Sequence, residues 1–420
     1  MTWGIVYAYT IYTILSCQER GFYDMHTMPH RFGMFVHWGI YALSEFHEQY
    51  RWKLSVPRKE YATLAERFNP VDFDPEEWVL MAKDAGMEYL CFTTKHHDGF
   101  CMWDTQYTDF KVTNTPYGRD VLKMLADACA KHGLALSLYY SIPDWNHPNA
   151  FNELSTHQIL TEGDVADSAL YREYIKHQMG ELLTQYGKIY TLFWDIPPHI
   201  SDPSINEYVR SLQPDILIND RGYDAGDFST PERYVPDGYA FERYTEACSA
   251  VGLRSWGYRK NEDYYTPKFL CQSLDKILVM GGSYLLNVGP MPNGKVDEKS
   301  KSIIQKVGSW YNRVKESFED VECAPELFED PCYLVTKRDQ TVYLHFNRDA
   351  TACGVSLKPY NQMLRSATVL NNGQKLAFDI TTMPEDTDPV TFVLNPPSLH
   401  IYDIPADVIT HEPIVIKLEL

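Results

Sequence analysis

The chain has 420 residues, more than one small hydrophobic core can organise, and its length suits a barrel-sized domain with a smaller module attached. A formal net charge of −19 argues against nucleic acid and polyphosphate partners, because those ligands are held by clustered Lys and Arg. Aromatic residues are abundant (30 Tyr, 19 Phe and 9 Trp); rings beyond the needs of a core suit sugar or apolar ligand surfaces, but rings also simply fill cores.

Residues 3–16 (WGIVYAYTIYTILS) are apolar enough for a signal-peptide core but lack a basic start, and Cys17 stands where a lipoprotein cysteine would. If residues 1–17 act as a signal, the chain is secreted or periplasmic. The nine cysteines point the other way. They contain no C-x-x-C pair, and Cys91 and Cys129 sit inside element-like patterns, which reads as mostly buried free thiols in a reducing, cytoplasmic compartment. No later apolar run reaches the ~20 residues needed to span a membrane. Residues 1–29 are therefore set apart as an N-terminal extension.

The first strand is expected in Phe32-Gly33-Met34-Phe35-Val36-His37, an apolar run ending in histidine. A helix follows from Asp74, with Pro75 at its first position, Glu76 and Glu77 in its first turn, and Gly86 as its stop. Glu88–Thr94 reads as the second strand and runs into Lys95-His96-His97-Asp98-Gly99. Asp120–His132 is helical and closed by Gly133, and Leu134–Ser141 is the third strand. Ile175, Met179, Leu182, Leu183 and Tyr186 recur at helical spacing before Gly187. Ile189-Tyr190-Thr191-Leu192-Phe193-Trp194-Asp195 is then a buried strand ending in a carboxylate, and Pro197 and Pro198 forbid its continuation. Asp215–Asn219 is the fifth strand, leading into Asp220-Arg221. Strand-like pieces recur around 240–245 and at Ser283–Val288, and a last helix runs from Val296 to about Glu316.

Strand–helix alternation over this length predicts parallel βαβ units closed as a (β/α) TIM-like barrel across residues 30–320. Beyond Cys323 no helical period survives. Short alternating runs such as Thr341–Phe346 are separated by turn residues, which predicts a C-terminal all-β sandwich over 321–420. In such barrels reacting groups gather at the C-terminal ends of the strands. His37, His96, His97, Tyr139 or Tyr140, Asp195 and Arg221 all fall at those ends, and Glu232 lies in a turn-rich loop beyond the fifth strand. Each alone has a plainer reading: a structural histidine, a capping Asp, an Arg paired with an acid, a first-turn Glu. Their convergence on one end of one barrel is what makes them candidates for chemistry.

Several stretches in fixed order then resemble the α-L-fucosidases of glycoside hydrolase family 29, over roughly residues 30–315. They are RFGMFVHWGIYAL (31–43), TTKHHDGFCMWDT (93–105), SLYYSIPDW (137–145), FWD (193–195), INDR (218–221), GDFSTPE (226–232), SWGY (255–258) and GGSYLLNVGPMPNG (281–294). The resemblance implies a retaining exo-glycosidase that removes terminal α-L-fucosyl residues by a two-carboxylate double displacement. It implies Asp195 as nucleophile and Glu232 as general acid/base. His37, His96, His97, Arg221, one of Tyr139 and Tyr140, Trp52 and Trp256 would be sugar contacts. It implies a fucosylated oligosaccharide as substrate, with no metal and no organic cofactor, and leaves monomer and homo-oligomer open.

The chain departs from the family pattern in two places. Where many members carry Glu-Trp it has Arg51-Trp52, so the acid is either lost or moved to Glu48, a rival for the acid/base role. Asp195 is followed by Ile-Pro-Pro, without the usual small residue. The competing readings are a non-catalytic carbohydrate-binding protein on the same fold and a metal hydrolase built on His96-His97-Asp98.

Overall fold

The computed structural model describes residues 28–152, 155–198, 201–328, 333–358, 360–382 and 397–420. The signal-like stretch with Cys17 lies outside the described residues, as does Cys332. Strands β1 (Phe32–Val36), β2 (Tyr89–Lys95), β3 (Ala135–Ser141), β4 (Ile189–Asp195), β5 (Leu217–Ile218), β6 (Glu246–Ala250) and β7 (Ser283–Val288) form one sheet, running from β5 through β4, β3, β2, β1 and β7 to β6. Every pairing in it is parallel. The strand expected around 240–245 lies at 246–250 instead. Its residues, Glu-Ala-Cys-Ser-Ala, carry almost no β propensity, and pairing with β7 holds them extended.

The ring closes through a segment with no strand-like sequence of its own. Asn219 pairs in parallel with Phe228, Ser229 with Thr245, and Glu232 with Cys248. Backbone bonds stitch this segment to both neighbours, from Asp220 N to Phe228 O at 2.9 Å and from Cys248 N to Pro231 O at 3.0 Å. Residues 228–232 thus stand between β5 and β6 as the missing stave. The turn-rich loop of the sequence is part of the barrel wall, and Glu232 lies at its upper end.

Helices α1 (Pro75–Asp84), α2 (Val121–His132), α3 (Ser168–Gln185), α4 (Pro203–Leu212), α5 (Pro267–Val279) and α6 (Glu298–Val314) pack outside the sheet. Their ends follow the expected chemistry. The Asp74 carboxylate accepts from Glu76 N ahead of Pro75, and that of Asp120 accepts from Lys123 N at 2.8 Å, each such cap contributing ~1 kcal/mol. Gly133 ends α2 at a φ of 65°, where a side chain would be strained.

The barrel interior is filled by rings from successive strands, including Phe35, Tyr89, Tyr139 and Phe193, together with Cys91, Cys248 and Leu285. Among them sits Glu246, fully buried, accepting from Tyr89 Oη at 2.5 Å while its Oε1 has no partner. Burial pushes its pKa from the ordinary 4.5 to about 7. Between those values the folded chain keeps a proton that the unfolded chain has released, so stability falls as pH rises across that window. Urea denaturation should therefore show Glu246→Gln gaining on the wild type from pH 4.5 to 7 and holding that gain above it. Parallel pH profiles for the two proteins would contradict this.

Strands β8 (Glu322–Cys323), β9 (Leu334–Arg338), β10 (Thr341–Phe346), β11 (Val355–Leu357), β12 (Ser366–Val369), β13 (Phe378–Thr381), β14 (Ser398–Ile401) and β15 (Ile414–Glu419) make two antiparallel sheets. One has the order β12-β15-β10-β9-β8 and the other β11-β14-β13, with a shared apolar core that includes Val342, Leu344, Leu399, Ile401 and Ile416. The module docks on α5 and α6. Trp310 Nε1 donates to Pro413 O at 3.0 Å, and the wholly buried His345 Nδ1 meets Asp275 Oδ1 at 2.7 Å. Cysteines 91, 101, 129, 248, 271 and 323 are free and buried, and Cys353 is free and exposed. Among the described residues no helix is long and apolar enough to cross a membrane.

Candidate active site

A cavity of about 120 Å³ opens at the C-terminal end of the barrel strands. Its wall includes His37, Glu48, His96, His97, Tyr139, His157, Phe193, Asp195, Arg221, Glu232, Cys248 and Trp256. A larger cavity of about 670 Å³ lies at the opposite end, against the starts of β3, β4 and β5, among residues such as Ala126, Leu134, Leu136 and Ile189. Its acids are already engaged, Glu88 by the N–H groups of Arg31 and Phe32 and Asp215 by Lys188. Chemistry in this fold belongs to the other end, and the paired carboxylates are found there.

Asp195 is the last residue of β4. Its Oδ2 accepts from Tyr139 Oη at 2.7 Å, and its Oδ1 from Arg221 Nη1 at 3.1 Å and Ile196 N at 3.0 Å. Burial alone would raise its pKa, but the Arg221 charge and the Tyr139 hydroxyl hold it below the ordinary aspartate value. Asp195 is a carboxylate near neutral pH. The same Arg221 Nη1 donates to Glu232 Oε2 at 2.8 Å, while Arg221 Nε and Nη2 are fixed on Thr230 Oγ1 and O at 2.8 and 2.7 Å. The two carboxylates therefore face each other across one guanidinium nitrogen. Their contacting oxygens can be no farther apart than those two distances laid end to end. That is short of the ~6.5–9.5 Å of inverting glycosidases and compatible with the ~5–5.5 Å of retaining ones.

Each acid is followed by a residue in left-handed backbone, Ile196 at φ 61° and Arg233 at φ 58°. For a β-branched residue this conformation is an outlier, and such strain collects where the surroundings impose a geometry. At Ile196 the turn brings the residue's own N–H back onto Asp195.

Burial lowers the pKa of His37 and of His97 to about 4 and holds that of His96 well below the ordinary imidazole value, so all three are neutral imidazoles near neutral pH. Such rings both donate to and accept from hydroxyl groups. His96 lies flat against Tyr139, and its buried Nδ1 has no protein partner. Trp256 forms the opposite wall, with His37 5.2 Å from its ring centre and the Arg233 guanidinium 4.4 Å above it.

Three candidates fall differently from the sequence expectation. Tyr140, next to Tyr139 on β3, points outward: its hydroxyl donates to Gln178 Oε1 at 2.6 Å and Lys95 Nζ sits 4.3 Å over its ring. Successive strand residues face opposite sides, so only Tyr139 of the pair reaches the cavity. Trp52 does not line the cavity; it is 39% exposed and packs behind His157, with ring centres 4.7 Å apart. Glu48 does reach the cavity, but its Oε2 accepts from Ser255 Oγ at 2.7 Å, Trp256 N at 3.0 Å and Gly257 N at 3.1 Å. Burial would raise its pKa, yet His47 and these donors hold it below the ordinary glutamate value. A carboxylate so engaged positions the Trp256 loop and is poorly placed to give up a proton.

His96 and His97 both face the cavity because β2 ends at Lys95 and the chain turns before strand alternation can separate them. Asp98 turns away, accepting from Tyr61 Oη at 2.7 Å, which breaks up the His-His-Asp metal triad considered from the sequence. His157, which the sequence did not single out, lies between Trp52 and His97, its carbonyl fixed by Trp145 Nε1 at 2.7 Å. No spacing or motif marks it, since it reaches the site from the long connection after β3.

Known proteins resemble this chain over most of its length. The sequence profile described as alpha-L-fucosidase matches residues 22–316. The tissue alpha-L-fucosidase of Bos taurus is 24% identical over 314 residues, covering 67% of this chain and 65% of the relative. The plasma alpha-L-fucosidase of Homo sapiens is 25% identical over 312 residues, covering 67% and 66%. The chain thus spans about two thirds of the length of these curated relatives. Among solved structures, alpha-L-fucosidase isoenzyme 1 from Paenibacillus thiaminolyticus superposes with a TM-score of 0.82 at 32% identity, covering 93% of this chain and 96% of that one. A trapped covalent intermediate of a Bacteroides thetaiotaomicron alpha-L-fucosidase, with 2-fluoro-fucosyl fluoride, superposes with a TM-score of 0.75 at 25% identity, covering 93% and 94%. The chain belongs to the alpha-L-fucosidase family.

Proposed function

We propose that the chain is a retaining exo-α-L-fucosidase acting on terminal fucosyl residues of oligosaccharides or glycoconjugates, with Asp195 as nucleophile and Glu232 as acid/base. The observation that carries this is the single Arg221 nitrogen shared by the two carboxylates. In the first step Asp195 attacks the anomeric carbon while Glu232 protonates the departing glycosidic oxygen, and the C–O bond breaks. In the second, Glu232 takes a proton from water, the water oxygen bonds to the anomeric carbon, and the Asp195 ester is released. His37, His96, His97 and Tyr139 hold hydroxyl groups, while Trp256 and Phe193 supply apolar walls for the ring and the fucose methyl group. The covalent intermediate trapped on the Bacteroides relative supports a double displacement.

Catalysis is assigned to the barrel over residues 30–320, and the sandwich over 321–420 is read as a docked accessory module. The unpaired cysteines support a reducing compartment. A carbohydrate-binding protein without catalysis would have no use for two acids aligned in this way. Hydrolysis of an aryl α-L-fucoside followed by proton NMR from the first minute tests the reading. It should release α-fucose before mutarotation. First release of β-fucose, or no turnover of any fucoside, would refute it.

A further inference from the structure

Two hydrogen-bond chains behind the cavity determine which nitrogen of His37 and of His97 carries the proton. Asn287, on β7, donates through Nδ2 to the Trp256 carbonyl at 2.7 Å. A carbonyl can only accept, so the amide cannot be flipped, and its Oδ1 is the atom 2.7 Å from His37 Nδ1. That contact requires a hydrogen on Nδ1. Ser141, at the end of β3, donates its hydroxyl hydrogen to Pro143 O at 2.7 Å. Its Oγ can then only accept from His97 Nδ1, 2.6 Å away. In both neutral rings Nε2 is left as a bare lone pair. His37 Nε2 has no partner among the described residues, and His97 Nε2 faces Asp195 Oδ2 at 3.8 Å, two acceptors with no hydrogen between them.

We infer that Asn287 and Ser141 are positioning residues that lock His37 and His97 as Nδ1–H tautomers, so that both present Nε2 as an acceptor for hydroxyl hydrogens of the bound sugar. Each ring then discriminates between a hydroxyl and a group of similar size that carries no hydrogen. The gap between His97 Nε2 and Asp195 Oδ2 is a place for a donor, and a ligand hydroxyl entering it relieves the facing lone pairs. A fluorine or a methyl ether there cannot. This inference rests on the cavity being a sugar site, but the protonation pattern itself belongs to the free protein and can be read without turnover.

The charged and titratable groups facing His37 are Glu48, Asp195, Arg233, His96, His97 and Tyr139, and those facing His97 are Asp195, His157, Glu48, His37 and His96. Replacing Asn287 with Asp places an anion on His37 Nδ1 and draws a second proton onto Nε2. The acid limb of kcat/KM should move to higher pH, whereas a merely structural role for Asn287 would lower the profile evenly. Ser141→Ala frees His97 to take either tautomer and should raise KM about tenfold, the worth of roughly one hydrogen bond, with a smaller effect on kcat.

The deciding measurement is nitrogen NMR of the full chain labelled with ¹⁵N-histidine, with assignments from single His→Gln variants at His37 and His97. Pyrrole-type Nδ1 and pyridine-type Nε2 signals for both residues near neutral pH are expected, with loss of the Nδ1 preference for His97 in Ser141→Ala. The reverse pattern at either ring overturns the inference, whether or not the protein hydrolyses fucosides. Absence of hydrolysis with the expected signals refutes the proposed activity and leaves the tautomer assignment standing.

Discussion

Asp195→Ala should lower kcat/KM on an aryl α-L-fucoside by roughly 10⁴-fold or more, the scale seen when a covalent nucleophile is removed. This is about 5 kcal/mol of transition-state stabilisation. The fold should survive, because Arg221 keeps Glu232 Oε2 and both Thr230 oxygens when the aspartate is gone. Tyr139 loses its acceptor, but it stays packed against Phe35, Phe193 and His96. Asp195→Gly should behave alike and should regain part of its activity in azide, which enters the vacated space and attacks the anomeric carbon from the nucleophile's side. That displacement inverts the centre, so the expected product is β-fucosyl azide. Within tenfold of wild-type activity for either variant, with an unchanged thermal midpoint, would remove Asp195 from the mechanism.

Much of this site could be read from the chain, and the parts that could not share a physical reason. Asp195, His37 and Tyr139 sit at, just beyond or just before the ends of strands with strong apolar runs, where the sequence itself marks where a buried element stops. Gly133 and the Asp74-Pro75 pair marked helix ends because their backbone preferences are local. Glu232 was found by its Thr-Pro-Glu motif, but its place in the barrel wall was not visible. Residues 228–232 owe their extended form to Asn219, Thr245 and Cys248 on either side, and nothing in Phe-Ser-Thr-Pro-Glu announces a strand. The same holds for β6, which is polar and small in sequence and strand-like only through β7. Tyr140 and Trp52 show the other limit. A motif says which residue types approach a site, but side-chain direction on a strand, or which ring stacks on His157, is settled by packing.

Glu232→Ala should divide substrates by their leaving groups. Departure of a sugar alkoxide needs a proton, so cleavage of fucosyl oligosaccharides should fall ~10²- to 10⁴-fold, the range for loss of general acid–base catalysis. An activated nitrophenolate leaves unaided, and formation of the covalent intermediate from such a substrate should change far less. Its breakdown still needs a base to activate water, so the intermediate should accumulate and give a burst of phenolate. Azide needs no deprotonation and should speed turnover, attacking the Asp195 ester to yield α-fucosyl azide, the opposite anomer from the Asp195→Gly reaction. The two variants thus report on the two faces of the sugar, and their azide products cannot both be explained by general damage to the site. Glu232 is 39% exposed in side chain while Glu48 is only 1% exposed and carries three donors on one oxygen, so access for a leaving group favours Glu232. Glu48→Gln is expected to weaken both substrate types together, because it loosens the Ser255–Gly257 turn that places Trp256. If Glu48→Gln gives the leaving-group split and the α-azide while Glu232→Ala does not, the acid/base assignment belongs to Glu48.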